Sequence, residues 1–421
     1  MLAVHPTIEE EFRLTACNCA ERRLDPFGSQ TELVFPWAGV LVLRGDYETY
    51  ADVVAQKVLL VNGLELHDFH HGTVHFLQAL GSPLLQNHGL RLLRAAQAAV
   101  SAAGRGFEVN DAAARDFHRE EHFLAQQHSS GLSCVYLLES AAELEANRLD
   151  IGAGAADGVR LGRNHRALLE RMHPDPASPR RRAFDFLTGR LGDDDACDLM
   201  ALLTFLAFIG NDPCAAFIQL AEWAADEPEA WKSLTAAQMI DRLGFGDQFE
   251  EYWDAVAAGE PLGTPYVVDP LREAMRRLGR SLLLEVLGRP AFYLPRLDEP
   301  QLRAVLPPVM IFPSREGGLV HHLNGVALDV NPAFAGNALA EVAVYGAAQR
   351  LTLDRRVPIR NYCNHDGCQH HRSSLCHRWY RPPNTHEGHD TCHFVRVFAH
   401  YAGIDPAAAW NRSGGARGGP A

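Results

Sequence analysis

The chain has 421 residues, 47% of them hydrophobic and 22% charged, with a formal net charge of -13. That length and composition exclude a disordered chain and a single small core, and point to two to four globular units at roughly 100 to 200 residues each. The negative balance excludes the chain as a whole from general polyanion binding, because phosphates would be repelled at long range.

Glu9, Glu10 and Glu11 interrupt the start before any apolar run of leader length, so a cytoplasmic location is expected. Glu32 to Arg44 is rich in Val, Leu, Phe and Trp with a proline inside, which predicts an irregular or edge strand. Apolar residues then recur at three and four through Tyr47–Leu60, Leu64–Leu80, Gly89–Ala103, Asp111–Gln127 and Leu132–Leu149. This spacing predicts a helical bundle over residues 1–155.

Small residues from Ile151 to Gly158 predict a linker or surface loop, and a second helical block follows over 156–262. Its predicted helices are Arg163–Met172, Arg181–Leu191, Asp195–Ile209, Pro213–Ala225, Ala236–Leu243 and Phe249–Ala257. Asp212 is placed to cap the fourth of these, with Pro213 in its first turn. The most apolar stretch, Leu199 to Gly210, is about half the ~20 residues a membrane span needs, so it predicts a buried helix and no membrane association. Residues 263–354 mix helix, at Asp269–Leu287 and Ala333–Leu353, with short strands near Val309–Phe312 and Leu319–Leu328. The fold class expected is mainly α: helical bundles, a short β-containing segment, and a C-terminal Cys/His module over 355–421.

Chemistry-bearing residues concentrate at two places. The first is Leu66 to His75, where His67, His71 and His75 recur at i, i+4 and i+8 with Asp68 beside them. On a helix they share one face, opposite Leu66, Phe69, Phe76, Leu77 and Leu80. Two arrangements fit: a polar face shown to water, or imidazoles one turn apart sharing a divalent metal.

Two further segments offer partners. His118, Glu121 and His122 form an H-x-x-E-H run near Asp116, and Glu139 and Glu143 place two carboxylates one turn apart on an otherwise apolar helix. Carboxylates on such a helix either face water or are paired or metal-bound. The expectation is a metal site in the bundle that activates water. Its ligands would come from His67, Asp68, His71, His75, His118 and His122, with Glu121, Glu139 or Glu143 as general base or further ligand.

The run His67, Asp68, His71, Gly72 resembles the metal-binding helix of HD-type metal-dependent phosphohydrolases, which implies a metal-dependent hydrolase. That family's upstream histidine has no counterpart between His5 and His67. The H-x-x-E-H run is similar to inverted-motif zinc peptidases, in which two histidines bind zinc and the Glu is general base. Carboxylate-bridged di-iron bundles expect two Glu-x-x-His motifs; Glu170 to His173 is one, and Asp68 to His71 approximates another. The sequence contains no phosphate loop, dinucleotide fingerprint or serine nucleophile elbow.

The second concentration is C-terminal: Cys363, Cys368, Cys376 and Cys392, among histidines that include His365, His377 and His393. Thiolate and imidazole are zinc's preferred ligands, so a structural zinc site is expected, either four cysteines or three with one of these histidines. An iron–sulfur cluster is the alternative ligand chemistry. Arginines and aromatics lie between the ligands, at Arg372, Arg378, Trp379, Tyr380 and Arg381. They predict packing against and solvation of a metal-stapled unit, ahead of a single-strand binding surface. A regulator or adaptor is the competing functional class, with a protein partner expected ahead of nucleic acid.

Overall fold

The computed structural model describes residues 32–35, 40–43, 64–106, 111–152, 161–258, 309–313 and 319–323, with 275–276, 278–281, 283–284 and 348. The described residues are mainly helical. In chain order the helices are α1 (Leu64–Leu80), α2 (Pro83–Gly106), α3 (Asp111–Glu121), α4 (Cys134–Gly152), α5 (Leu161–Met172), α6 (Pro179–Leu191) and α7 (Asp193–Ala207). They continue with α8 (Pro213–Asp226), α9 (Pro228–Ser233), α10 (Ala236–Arg242) and α11 (Gly246–Ala258). Strands β1 (Glu32–Phe35), β2 (Val40–Leu43), β3 (Val309–Pro313) and β4 (Leu319–Leu323) form one sheet in that order. β1 and β2 are antiparallel, β2 and β3 parallel with Val40 opposite Val309, and β3 and β4 antiparallel with Ile311 opposite His321. The predicted Tyr47–Leu60 helix lies outside the described residues, as do most of Asp269–Leu287 and of Ala333–Leu353.

Helix boundaries follow local chemistry. α1 ends at Gly81, and Ser82 then serves both sides of the turn: its Oγ accepts from Leu85 N–H at 3.2 Å and donates to the Phe208 carbonyl at 2.9 Å. Pro83 follows at the start of α2, where its missing N–H is not needed. α2 therefore begins six residues before the predicted Gly89. The Asp111–Gln127 prediction breaks at Glu121, because the chain turns at His122 into a 3-10 turn, Phe123–Ala125. Phe123 stacks there on His88 of α2, ring centroids 5.3 Å apart.

α6 and α7 meet at Gly192, whose φ of 81° is open to glycine and strained for other residues. α7 opens on Asp193, Asp194 and Asp195, where negative charge complements the helix N-terminus. The Asp212 cap is present, accepting from Ala215 N–H at 3.1 Å, and Thr235 with Gln238 forms a capping box on α10.

One apolar cluster runs through both helical blocks, from Val74 and Phe76 on α1 through Leu137 and Ala141 on α4 to Phe184, Met200, Phe217 and Phe249. Leu202, Leu203, Phe205, Leu206, Phe208 and Ile209, within the predicted buried stretch, are all interior. No described helix is long and apolar enough to cross a membrane. α4 is the central helix, packed chiefly on α6 and α1 and also on α7. Tyr252 of α11 donates to the Leu80 carbonyl at 3.0 Å and so anchors the end of α1.

Candidate functional site

Between α1 and α4 the apolar packing gives way to a row of histidines facing a row of carboxylates. The two helices run antiparallel, so the i, i+4 ladder of one meets that of the other in register. His67 Nε2 lies 3.2 Å from Glu143 Oε2, and His71 Nε2 lies 3.5 Å from Glu139 Oε2 and 3.9 Å from Glu143 Oε2. His75 Nε2 lies 3.4 Å from Glu139 Oε1. The histidine face is not the water-facing side of the helix: His67 and His71 are buried, and Glu143 is fully so. His75 and Glu139 are partly open, their side chains 17% and 25% exposed.

Two elements outside the predicted set complete the cluster. His173, just past the end of α5, brings Nε2 to 3.3 Å from Glu143 Oε1. Arg180, in the first turn of α6, sets Nη1 3.3 Å from Glu143 Oε2 and Nε 3.6 Å from Glu139 Oε2. Asn147, one turn beyond Glu143, donates to its Oε1 at 3.2 Å and sits 3.4 Å from His165 Nδ1. α6 is held at this angle by Ser140, whose Oγ donates to the Pro179 carbonyl and accepts from Ala183 N–H. That bridge places Arg180 against both carboxylates.

Electrostatics follow from the geometry. Burial opposes ionisation of Glu139, but the charges of His75, His71 and Arg180 and the His75 hydrogen bond outweigh it and hold the pKa down at about 2. For Glu143 burial again opposes, and hydrogen bonds from His173 and His67 with the charges of His67 and His71 prevail, keeping it far below the carboxylate range. Both therefore carry negative charge between helices, and compensating cations must lie close. His70, on the same helix, is pushed down to about 3 by burial and then by His67, so it stays neutral.

The tautomer of His75 can be read from its neighbours. Gln78 Nε2 donates to the Leu138 carbonyl at 3.3 Å, which turns Oε1 toward His75 Nδ1 at 2.9 Å. An amide oxygen only accepts, so His75 Nδ1 carries the hydrogen and donates to it. In the neutral ring Nε2 then presents a lone pair toward Glu139 Oε1. Two acceptors facing each other at 3.4 Å require a proton or a metal ion between them.

Of the sequence-predicted residues, His67, His71 and His75 come together with Glu139 and Glu143. The side chain of Asp68 lies outside the described residues. His118, Glu121 and His122 do not join them: they form a separate exposed or half-exposed group on α3 and the turn after it. Of the Glu170/His173 pair only His173 enters the cluster, while Glu170 is exposed and lies 3.8 Å from Arg181. Arg180 carried no sequence signal that separates it from its neighbours Arg181 and Arg182. Cys363, Cys368, Cys376 and Cys392, with His365, His377 and His393, lie outside the described residues.

The atoms of His71, His75 and Glu139 able to ligate lie within 4.8 Å of one another, as a metal site requires. No protein-family model matches the chain, and no match to it was found among curated proteins or among solved structures.

Proposed function

We propose that this chain is a metal-dependent hydrolase that holds one divalent transition ion on His71, His75 and Glu139. The observation that carries the reading is the convergence of His71, His75 and Glu139, whose ligating atoms lie within 4.8 Å of one another. Bonds of about 2.0–2.1 Å around a tetrahedral ion place its ligand atoms roughly 3.4 Å apart. The His75–Glu139 and His71–Glu139 separations are 3.4 and 3.5 Å, the first to Oε1 and the second to Oε2, so a small rotation of the carboxylate would bring one oxygen to both histidines. The Gln78 hydrogen bond supports it, because a ligating histidine is ordinarily oriented through its other ring nitrogen.

Three protein ligands leave a fourth position for water, and a metal-bound water is a nucleophile near neutral pH. The partly exposed members, His75 and Glu139, mark the side from which water and substrate would enter. Glu143 is poorly suited as general base: it is fully buried and its charge is already stabilised by His67, His173, Asn147 and Arg180. Its role in this reading is to hold His67 and His173 and to add negative charge behind the ion. Zinc on the C-terminal cysteines is a separate proposal, resting on ligand type and spacing alone.

The test is the metal content of the full chain and of Glu139→Gln, with hydrolysis of activated phosphate and carboxylic esters measured beside it. The reading expects Glu139→Gln to stay folded, lose one equivalent of metal and lose metal-dependent turnover. A variant that keeps its full metal complement removes the proposal.

A further inference from the structure

We propose that His118, Glu121 and His122 form a second divalent-metal site, at the surface and independent of the buried one. The ligand atoms of all three lie within 4.8 Å of one another. His118 and His122 are one helical turn apart, with ring centroids 4.0 Å from each other. His122 Nδ1 donates to the His118 carbonyl at 2.9 Å, which leaves Nε2 as the ligating nitrogen of the neutral ring. Glu121 supplies the negative charge; its Oε2 lies 3.9 Å from Nδ1, the ring nitrogen of His122 that faces the His118 carbonyl.

Two features of the surroundings favour a cation here. The group sits at the C-terminal end of α3, where the helix presents the partial negative charge of its last carbonyls. α3 also carries four carboxylates against two arginines, and Arg119 is already engaged, 3.2 Å from Asp116.

The two histidines are exposed and Glu121 is half-buried, but the backbone that carries them is anchored. Phe117 is fully buried, and His88 of α2 donates from Nε2 to the Glu120 carbonyl at 2.8 Å. Arg91 Nε donates to Glu120 Oε2 at 3.1 Å, and its guanidinium lies 5.1 Å from the centre of the Phe123 ring. A fixed scaffold lowers the ordering entropy of chelation, so little beyond side-chain rotation is left to the ion. Any ion held there keeps coordination positions turned to solvent. It exchanges readily and can accept a donor from a second molecule.

The experiment is calorimetric titration of the untagged full chain with Ni2+ alone, alongside His118→Ala/His122→Ala and Glu139→Gln. The proposal expects the double variant to bind one equivalent fewer with an unchanged circular dichroism spectrum, and Glu139→Gln to retain that equivalent. Electron paramagnetic resonance with Cu2+ should show a two-nitrogen component that His122→Ala reduces to one. An unchanged number of Ni2+ equivalents in the double variant overturns the proposal. So does loss of the same equivalent in Glu139→Gln, since the two sites would then be one.

Discussion

Two parts of this molecule use the same residues at the same spacing and place them in opposite surroundings. On α1 and α4, histidines and glutamates at i, i+4 face one another between helices, with Glu143 and His71 wholly withdrawn from water. At the end of α3, the exposed His118 and His122, also at i, i+4, lie beside the half-buried Glu121. The contrast teaches that spacing makes a chelate geometrically available and that burial decides how much depends on it. A fully buried carboxylate such as Glu143 must be neutralised by proton, arginine or metal, whereas exposed imidazoles such as His118 and His122 are already served by water.

The largest test of that contrast is Glu143→Ala. It leaves His67, His173 and Arg180 without the carboxylate they surround, and the expected loss is about 3–5 kcal/mol of unfolding free energy. Urea denaturation in the presence of chelator reads it, and a loss under 1 kcal/mol would show that water already reaches the row. Next comes Gln78→Leu, which removes the acceptor that sets the His75 tautomer. Metal affinity at the buried site should fall roughly 10- to 100-fold while the fold persists; an unaltered affinity in competition titration would leave Gln78 a packing residue only.

A smaller effect concerns the anchor of the surface group. Burial lowers the pKa of His88 below its ordinary 6.5, with the Glu120 carbonyl acting in the opposite direction. A depressed histidine binds its proton more readily when unfolded, so its contribution is complete above about pH 6.5 and declines as pH falls toward the folded value. The protection factors of the α3 amides should therefore fall between pH 7 and pH 5, and His88→Leu should flatten that dependence. The smallest effect belongs to His118→Ala/His122→Ala in metal-free protein, expected within about 0.5 kcal/mol of the parent. A thermal melt that falls by many degrees would place these side chains in the structural framework instead.

Much of the helical architecture was legible in the sequence, because the signals are local. Periodicity located α1 to its end residues, and Asp212–Pro213 announced the start of α8. Where prediction slipped, a neighbour distant in sequence intervened. α2 starts early because Ser82 is also tied to Phe208, and α3 stops early because Phe123 turns to meet His88. The helix α9 was missed, as six residues carry too little periodicity to register.

The candidate site divides in the same way. Sequence alone put His67, His71 and His75 on one face and Glu139 with Glu143 on another, since a 3.6-residue repeat is a property of each helix taken singly. Only tertiary structure decided that these two faces meet, across 76 residues between His67 and Glu143, and that His118 and His122 stay apart from them. Arg180 and His173 entered for the same reason: their placement depends on how α5 and α6 pack on α4, and no local pattern encodes it. The chain determines which atoms could bind an ion, and packing determines which carboxylates are withdrawn from water and so must be compensated by a cation beside them.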